Sequence, residues 1–226
     1  MDIYSQPLIL ASASPRRKQL LADAGYKFTV VVSQIDESVF PTENIAPVEY
    51  AKQLALAKAN DVADKHPDSI VIGADTVVDF EGQIIGKPRD ARHAEEITRM
   101  LFSKPHKVIT GLALVCKSGT GIRRKAFCGL AVSSRAGSPC YKIVEAETTV
   151  VYPKKLTDAQ IDEHIKSGIW CDKAGAYAIR DNPSSPNGCA EASDPFVDHI
   201  DGSMTNVMGM PMELLKRLAT EISFLF

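Results

Sequence analysis

A short apolar segment that changes abruptly into a helix start constrains this chain more than any other feature. The stretch "LILASASPRRKQLL", residues 8–21, places an apolar run directly before two serines, a proline and two arginines. Ser14 suits the N-cap of a helix, and Pro15 suits its first position, where a backbone N–H is not needed. The segment therefore predicts a buried strand that leads straight into a helix, as in α/β proteins.

The remaining hydrophobic pattern predicts an α/β fold with a mixed, twisted sheet flanked by helices. The predicted strands cover residues 7–12, 27–32, 70–72 continued by 77–80, 83–85, 106–116, 121–133, 142–152 and 196–200. The predicted helices run from Pro15 to a C-cap at Gly25, and over residues 47–66, 91–101, 158–167 and 210–222. Strands alternate with helices near both ends, whereas hairpins dominate the middle, so parallel and antiparallel pairing are both expected. With no evident linker or repeat, residues 1–226 are expected to form one domain with two lobes around a cleft.

Composition argues against several classes of protein. The net charge is −2 and aromatic residues make up 7% of the chain, so no nucleic-acid-binding surface is expected. The five cysteines include no C-x-x-C pair, which favours neither a disulfide framework nor a zinc site and indicates a reducing compartment. We find no signal-peptide pattern and no apolar run near the roughly 18 residues that span a bilayer. We therefore expect a cytoplasmic protein with no membrane partner.

The turn between the first strand and the first helix is a candidate phosphate site. A helix N-terminus presents unpaired N–H groups with partial positive charge, and so favours an anion. Arg16 and Arg17 are unfavourable there for the helix itself unless something negative offsets them, and guanidinium binds phosphate bidentately. By spacing alone, the same residues fit a capped surface helix with solvated arginines equally well. The segment is not the Walker A pattern.

Carboxylates and further cations occur at other turns. Asp75 follows a buried strand, Glu37 lies beyond the second strand, and Lys87 sits in a glycine-hinged turn at residues 86–89. Paired carboxylates with clustered Arg and Lys suit magnesium-dependent phosphoryl chemistry, in which the carboxylates hold the metal or activate water. Taken singly, Asp75 also fits a turn cap, and the Lys87 turn a plain hairpin exit. The small residues of segment 172–179 fit either a backbone that approaches a ligand or a tightly packed core turn.

Eight segments together are similar to the conserved motifs of one family. They are "LILASASPRRKQLL" at 8–21, "IDES" at 35–38, "LALAKA" at 54–59, "IGADTVV" at 72–78, "GKPRDARHA" at 86–94, "TGLAL" at 110–114, "DKAGAYAI" at 172–179 and "GSMTNVMGMPMELL" at 202–215. In this order, the series resembles the Maf family of nucleotide pyrophosphatases, relatives of the inosine triphosphate pyrophosphatase fold. Each segment alone is a weak signal, whereas the ordered series spans nearly the whole chain and is highly specific.

The resemblance implies an activity and a set of site residues. The family hydrolyses nucleoside triphosphates to the monophosphate and pyrophosphate with a divalent metal, here Mg²⁺ or Mn²⁺, and a homodimer is consistent with it. The resemblance implies that Asp75 accepts the proton of the attacking water and that Glu37 and Asp75 bind the metal. The residues implied to bind substrate are Ser12, Arg16, Arg17 and Lys87 at the phosphates, with Lys58 lining the site.

The resemblance also bears on the choice of base. Two subfamilies differ at one position of the Ser-Pro-Arg-Arg segment: the subfamily that acts on dTTP and UTP has arginine there, and the subfamily that acts on 7-methyl-GTP has tryptophan. In this chain the position is occupied by Arg16. Thr76 also matches the dTTP/UTP type. Arg180 departs from it, because that subfamily has glutamine there, and glutamine offers a donor and an acceptor whereas arginine only donates. Preference for dTTP and UTP is therefore the leading hypothesis, with the same chemistry on another base as its alternative.

Two other classes of function stay open at this point. A non-catalytic nucleotide-binding regulator of cell division would keep the phosphate site, although pure binding needs cations more than it needs Asp75 and Glu37. A nucleic-acid-binding module is disfavoured by the net charge and by the lack of an RNA-binding signature. A serine hydrolase is not indicated, since the chain has no G-x-S-x-G segment.

Overall fold

A computed structural model describes residues 6–117, 141–171, 173–179 and 194–223. The strand predicted at 121–133 lies outside the described residues, as do a polar loop that the sequence predicts at 134–140 and all but Asp194 of a second predicted loop at 181–194. The strands are β1 (Leu8–Leu10), β2 (Thr29–Val30), β3 (Ile70–Phe80), β4 (Gln83–Ile85), β5 (His106–Cys116), β6 (Tyr141–Pro153) and β7 (Val197–Asp201). The helices are α1 (Pro15–Asp23), α2 (Pro47–Lys65), α3 (Ala91–Leu101), α4 (Asp158–Ser167), α5 (Met204–Val207) and α6 (Met212–Ser223), with 3-10 turns at Glu37–Val39 and Ala174–Ala176.

The described strands form one sheet in the order β2-β1-β3-β5-β6-β7, and β4 pairs with β3 beside this path. Strand β1 is parallel to both β2 and β3, whereas β3, β4, β5, β6 and β7 pair antiparallel. The predicted mixed α/β sheet is therefore confirmed. Within the described ranges, we find no helix that is both long enough and apolar enough to cross a membrane.

Local sequence signals located the starts of α1, α2, α3 and α4 correctly, whereas α6 begins two residues after the predicted start at 210 and α5 was not predicted. The side chains of Ser14, Asp90 and Thr157 cap α1, α3 and α4, and Thr157 forms a reciprocal capping box with Gln160. The strand predicted at 27–32 was wrong in extent, since only Thr29 and Val30 pair. Their partner β1 is three residues long, so the parallel ladder cannot continue.

Helix α2 packs unusually close to the sheet, and this contact positions the site. Gly73 of β3 and Gly111 of β5 lie directly beneath the α2 backbone, so a Cβ atom at either glycine would overlap the carbonyl oxygen of Ala55 or Ala51. Ala51, Ala55 and Ala59 recur every four residues on the buried face of α2. This alanine face on two glycines brings Lys58 of α2 to Asp75 in the middle of β3.

One edge of β3 is left open between its two neighbours. Strand β1 pairs with β3 as far as Ile72, and β4 begins to pair with the same edge only at Val78. Among the described residues, no strand covers positions 73–77 on this edge. Successive side chains of a strand point to opposite faces, so Asp75 faces α2 whereas Thr76 faces α1 and α5. The opening therefore allows a single cavity to reach both faces of the sheet.

Candidate active site

A cavity of about 660 Å³ lies at the open edge of β3. The start of α1, the turn at Glu37, Lys58 of α2, the middle of β3, the segment 173–179 and the residues after α5 form its walls. Every predicted site residue within the described ranges lines it: Ser12, Arg16, Arg17, Glu37, Lys58, Asp75, Thr76 and Lys87. Arg180 lies outside the described residues. The fold thus brings together in one cavity side chains from five separate segments.

Lys58 holds two carboxylates together on the α2 side of the cavity. Its Nζ lies 2.6 Å from Asp75 Oδ1 and 2.8 Å from Glu37 Oε1. The side chains of Lys58 and Asp75 are 12% and 9% exposed, so this ion pair is largely shielded from water. Burial raises the pKa of Glu37, but the hydrogen bond from Lys58 and the charges of Lys58, Lys87 and Arg17 outweigh it and lower that pKa overall. Glu37 is therefore ionised at neutral pH.

Arg17 is bound into the opposite wall by hydrogen bonds to the protein. Its Nε donates to the Gly209 carbonyl at 2.8 Å, and its Nη1 donates to Ser12 Oγ at 3.2 Å and to the Ala74 carbonyl at 2.8 Å. Its Nη2 donates to Thr76 Oγ1 at 3.0 Å. Burial lowers the pKa of Arg17 and the nearby charge of Asp75 opposes that shift, although a guanidinium stays charged throughout. Arg17 thus ties together β1, β3 and the segment after α5, and orients Ser12.

A chain of buried polar groups continues from Arg17 into the core. Thr76 Oγ1 lies 3.0 Å from Thr110 Oγ1, and Thr110 donates to the Asn206 carbonyl at 3.0 Å. The Asn206 amide donates to the Val108 carbonyl at 3.0 Å and to Thr149 Oγ1 at 2.9 Å. Sequence reasoning missed this chain. Thr110, a polar residue in the apolar and buried stretch of β5 from residue 108 to 116, is the signal that could have revealed it.

Arg16 and Lys87 are two further cations of the cavity lining, and neither is fully buried. Arg16 follows Pro15 in the first turn of α1 and is partly buried, and Lys87 is exposed beside Gly86. The Gly86 carbonyl accepts a hydrogen bond from the Gly175 N–H at 3.2 Å, which fixes the Lys87 turn against the segment 173–179. Cations from two separate segments therefore line the cavity.

Two buried histidines hold the segment 173–179 in place. His164 Nε2 lies 2.7 Å from the Ala176 carbonyl, which can only accept, so His164 donates. His106 Nδ1 donates to the Leu101 carbonyl, which leaves His106 Nε2 to accept from the Tyr177 hydroxyl at 2.7 Å. Burial lowers the pKa of His106, against the hydrogen bonds that raise it, so the ring is neutral at pH 7.

The backbone of this segment is strained at the cavity wall. Gly175 has φ of 74° and Ala176 has φ of 59°, both in the left-handed region that side chains disfavour. A Cβ at Gly175 would come within 2.9 Å of Val78 Cγ2. Of the two interpretations of segment 172–179, the structure therefore bears out the packed turn for Gly175 and Tyr177, while Tyr177 also lines the cavity. Asp172 lies outside the described residues.

The carboxylate pair fits a divalent cation. No group of three or more Asp, Glu, His or Cys side chains within the described ranges has the arrangement of a metal site. Mg²⁺, however, is commonly held by one or two carboxylates together with substrate phosphates. Glu37 and Asp75 already converge on one cation, the Lys58 ammonium, so their oxygens suit a metal ion that also binds phosphate.

Comparisons with known proteins agree with the resemblance in the sequence. The sequence model of the family described as Maf-like protein matches residues 7–222. The dTTP/UTP pyrophosphatase of Elusimicrobium minutum is 39% identical over 217 residues, covering 96% of this chain and 99% of the relative. Proteins of the same name from Geotalea uraniireducens and Bacillus cytotoxicus are 40% and 37% identical, covering 91% and 92% of this chain and 89% and 92% of the relatives.

Proposed function

The chain belongs to the Maf-like protein family, and from this membership and its site we propose that it is a nucleoside triphosphate pyrophosphatase that acts on dTTP and UTP. The proposed products are the nucleoside monophosphate and pyrophosphate. Relatives that cover nearly the whole chain carry the name dTTP/UTP pyrophosphatase, which supports the proposal. The observation that carries it is the Glu37–Lys58–Asp75 cluster, which faces the same cavity as the cations at the start of α1.

The residues divide the proposed chemistry between the two sides of the cavity. Asp75 is a buried carboxylate at the open edge of β3, where it accepts the proton of a water that attacks at the α–β phosphate linkage. Arg16, Lys87 and the Ser12 hydroxyl, which Arg17 orients, bind the phosphate oxygens and stabilise the charge that develops on the departing pyrophosphate. Glu37 and Asp75 would hold a divalent cation, Mg²⁺ or Mn²⁺, which supplies charge neutralisation at the phosphates when bound.

We assign selection of the nucleotide base to residues that line the same cavity. Arg16 lines the cavity and is the residue that distinguishes the dTTP/UTP type by resemblance. Thr76 lines it as well, although its hydroxyl is engaged by Arg17 and Thr110. The contribution of Arg180 stays a prediction, as do the cytoplasmic location, the homodimer and the identity of the metal.

A pyrophosphate-release screen tests the proposal directly. Purified protein is assayed with Mg²⁺ or Mn²⁺ against dTTP, UTP, CTP, 7-methyl-GTP, ITP and the standard purine triphosphates. We expect the highest kcat/KM with dTTP and UTP. Preference for another base would leave the proposed reaction unchanged, but would indicate that Arg180 and its neighbours, instead of Arg16 and Thr76, select the base. Binding of triphosphates without any release of pyrophosphate would instead favour the non-catalytic nucleotide-binding regulator.

A further inference from the structure

Lys58 occupies the place that a divalent cation needs. Its ammonium group makes the 2.6 Å and 2.8 Å contacts to Asp75 and Glu37 described above. Both are charge-assisted hydrogen bonds, which are shorter and stronger than hydrogen bonds between neutral groups. A Mg²⁺ or Mn²⁺ ion that bridges Asp75 Oδ1 and Glu37 Oε1, the two oxygens that Lys58 contacts, would need them at about 2.0–2.2 Å and would take the place of the ammonium group. The ammonium and the metal therefore compete for one pair of ligands.

Electrostatics makes joint occupancy unfavourable. An ion of charge +2 bound to Glu37 and Asp75 would lie within a few ångströms of an ammonium group that kept its present contacts. Repulsion over such a distance is strong where water is largely excluded, and the Lys58 and Asp75 side chains are 12% and 9% exposed. One of the two cations must move away for the other to bind.

We propose that Lys58 is the resident cation of the Glu37–Asp75 pair, that it must leave this pair before a divalent metal can bind, and that it thereby weakens binding of the metal alone. The inference rests on the proposed function, because it concerns the metal that this function requires. Lys58 acts here as a positioning residue that governs when the metal site is available.

The structure lets Lys58 move without disturbing the fold. The α2 backbone is held by the contacts of Ala55 and Ala59 with Gly73, so only the side chain has to change. Its stem has four carbons and a freely rotating ammonium group, unlike the planar fork of arginine. The cavity that Lys58 lines also holds Ser12 and Arg16, the proposed phosphate ligands, so a phosphate bound there would offer the displaced ammonium a new anionic partner. Metal and triphosphate would then bind together more readily than either binds alone.

Titration of the nucleotide-free protein with Mn²⁺ tests this inference, with free Mn²⁺ followed by electron paramagnetic resonance. We expect Lys58→Met to bind Mn²⁺ about tenfold more tightly than the wild type, because no resident cation has to be displaced. Lys58→Arg keeps the positive charge and should bind no more tightly than the wild type. Lys52→Met is the matched control: it removes a lysine from the same helix that pairs with Glu49, and should leave Mn²⁺ affinity unchanged.

Two further variants make the result decisive. The gain in Lys58→Met should disappear when Glu37→Gln is added, since one of the two ligands is then lost. Lys58→Gln, which keeps a long polar side chain, provides the same measurement if Lys58→Met does not fold. Equal or weaker Mn²⁺ binding in the neutral variants, no Mn²⁺ binding in either protein, or a gain that survives Glu37→Gln would overturn the inference. Because no turnover is involved, these outcomes are independent of whether pyrophosphate is released from any triphosphate.

Discussion

The Thr76 hydroxyl lies 3.0 Å from Nη2 of Arg17, on the face of β3 opposite to Asp75. The same hydroxyl lies 3.0 Å from Thr110 Oγ1, and so it connects the guanidinium to the polar chain that ends at Asn206. Thr76 therefore contributes to the site by holding Arg17 in position, in addition to whatever it contacts in a bound nucleotide.

Thr76→Val should lower kcat/KM by a similar factor for every triphosphate that the protein hydrolyses. Valine has nearly the same shape as threonine but cannot bond to Arg17 or to Thr110, so the orientation of Arg17 and of Ser12 behind it is weakened. We expect a loss of about tenfold, the effect of removing one hydrogen bond to a charged group. Pyrophosphate release measured with dTTP, UTP and CTP checks this.

Thr76→Ser serves as the control for that experiment, because it keeps the hydroxyl and should retain most of the activity. A loss confined to one base would contradict the positioning role and would show instead that Thr76 recognises the base directly.

Asp75→Asn should lower kcat by a factor of about 10² to 10⁴ while the protein remains folded. The amide has the size of the carboxylate but cannot accept the proton of water. Glu37 remains as a partner for Lys58, so the lysine is not left without a counter-ion. Steady-state kinetics together with thermal unfolding check this, and Asp64→Asn, an exposed carboxylate on the same α2 helix, is the control. Turnover near the wild-type rate would refute the assignment of Asp75 as the base.

Gly111→Ala should destabilise the protein strongly although it adds only one methyl group. The new Cβ would overlap the backbone of Ala51 and Lys52 and would force α2 away from β5. Overpacking of this kind costs about 1–3 kcal/mol, and more when backbone atoms must move. Gly86→Ala is a suitable control, since a Cβ there meets no atom within 4 Å. Unfolding in denaturant measures both, and equal midpoints would rule out the close packing of α2 on the sheet.

Local parts of the molecule could be predicted from the sequence, because their signals lie within a few residues. Ser14 and Asp90 accept hydrogen bonds from backbone N–H groups three residues ahead, which is why their helix starts could be located. Asp75 could be singled out for a similar reason, as an acid that follows the apolar residues 70–72, although the structure places it inside a continuous strand, β3, and not after its end.

The polar chain behind the site could not be predicted in this way. Arg17 and Gly209 are separated by 192 residues, and Thr110 and Asn206 by 96. Their contacts depend on how β1, β3 and β5 are ordered and where α5 docks, and hydrophobic periodicity carries no information on either. The open edge of β3 could not be predicted either, because it exists only where β1 has already ended. The sequence predicted a strand over residues 7–12, whereas β1 covers only Leu8–Leu10.

The stability of the protein should fall as the pH drops below about 6.5, through His106. Burial lowers the pKa of His106 in the folded state, whereas in the unfolded chain it is near the ordinary value of about 6.5. Below pH 6.5, the unfolded state then binds more protons than the folded state. The contribution of His106 to the free energy of unfolding is therefore complete above that pH and is lost as the pH falls. The slope for one such group reaches about 1.4 kcal/mol per pH unit. Glu37 and Glu213, whose pKa values are lowered in the fold, lose their contribution only at more acidic pH.

The double variant His106→Asn with Tyr177→Phe separates His106 from the other titrating groups. The asparagine amide can replace Nδ1 as donor to Leu101, and the phenylalanine removes the hydroxyl that would lose its acceptor. We expect lower stability at pH 7.5 but a flatter dependence between pH 6.5 and 5, measured by urea unfolding at each pH. His199→Asn, an exposed histidine on β7, is the control and should keep the wild-type profile in shape. If the double variant retains the full wild-type slope in that window, protonation of His106 is not the cause, because the groups that produce the slope are then still present.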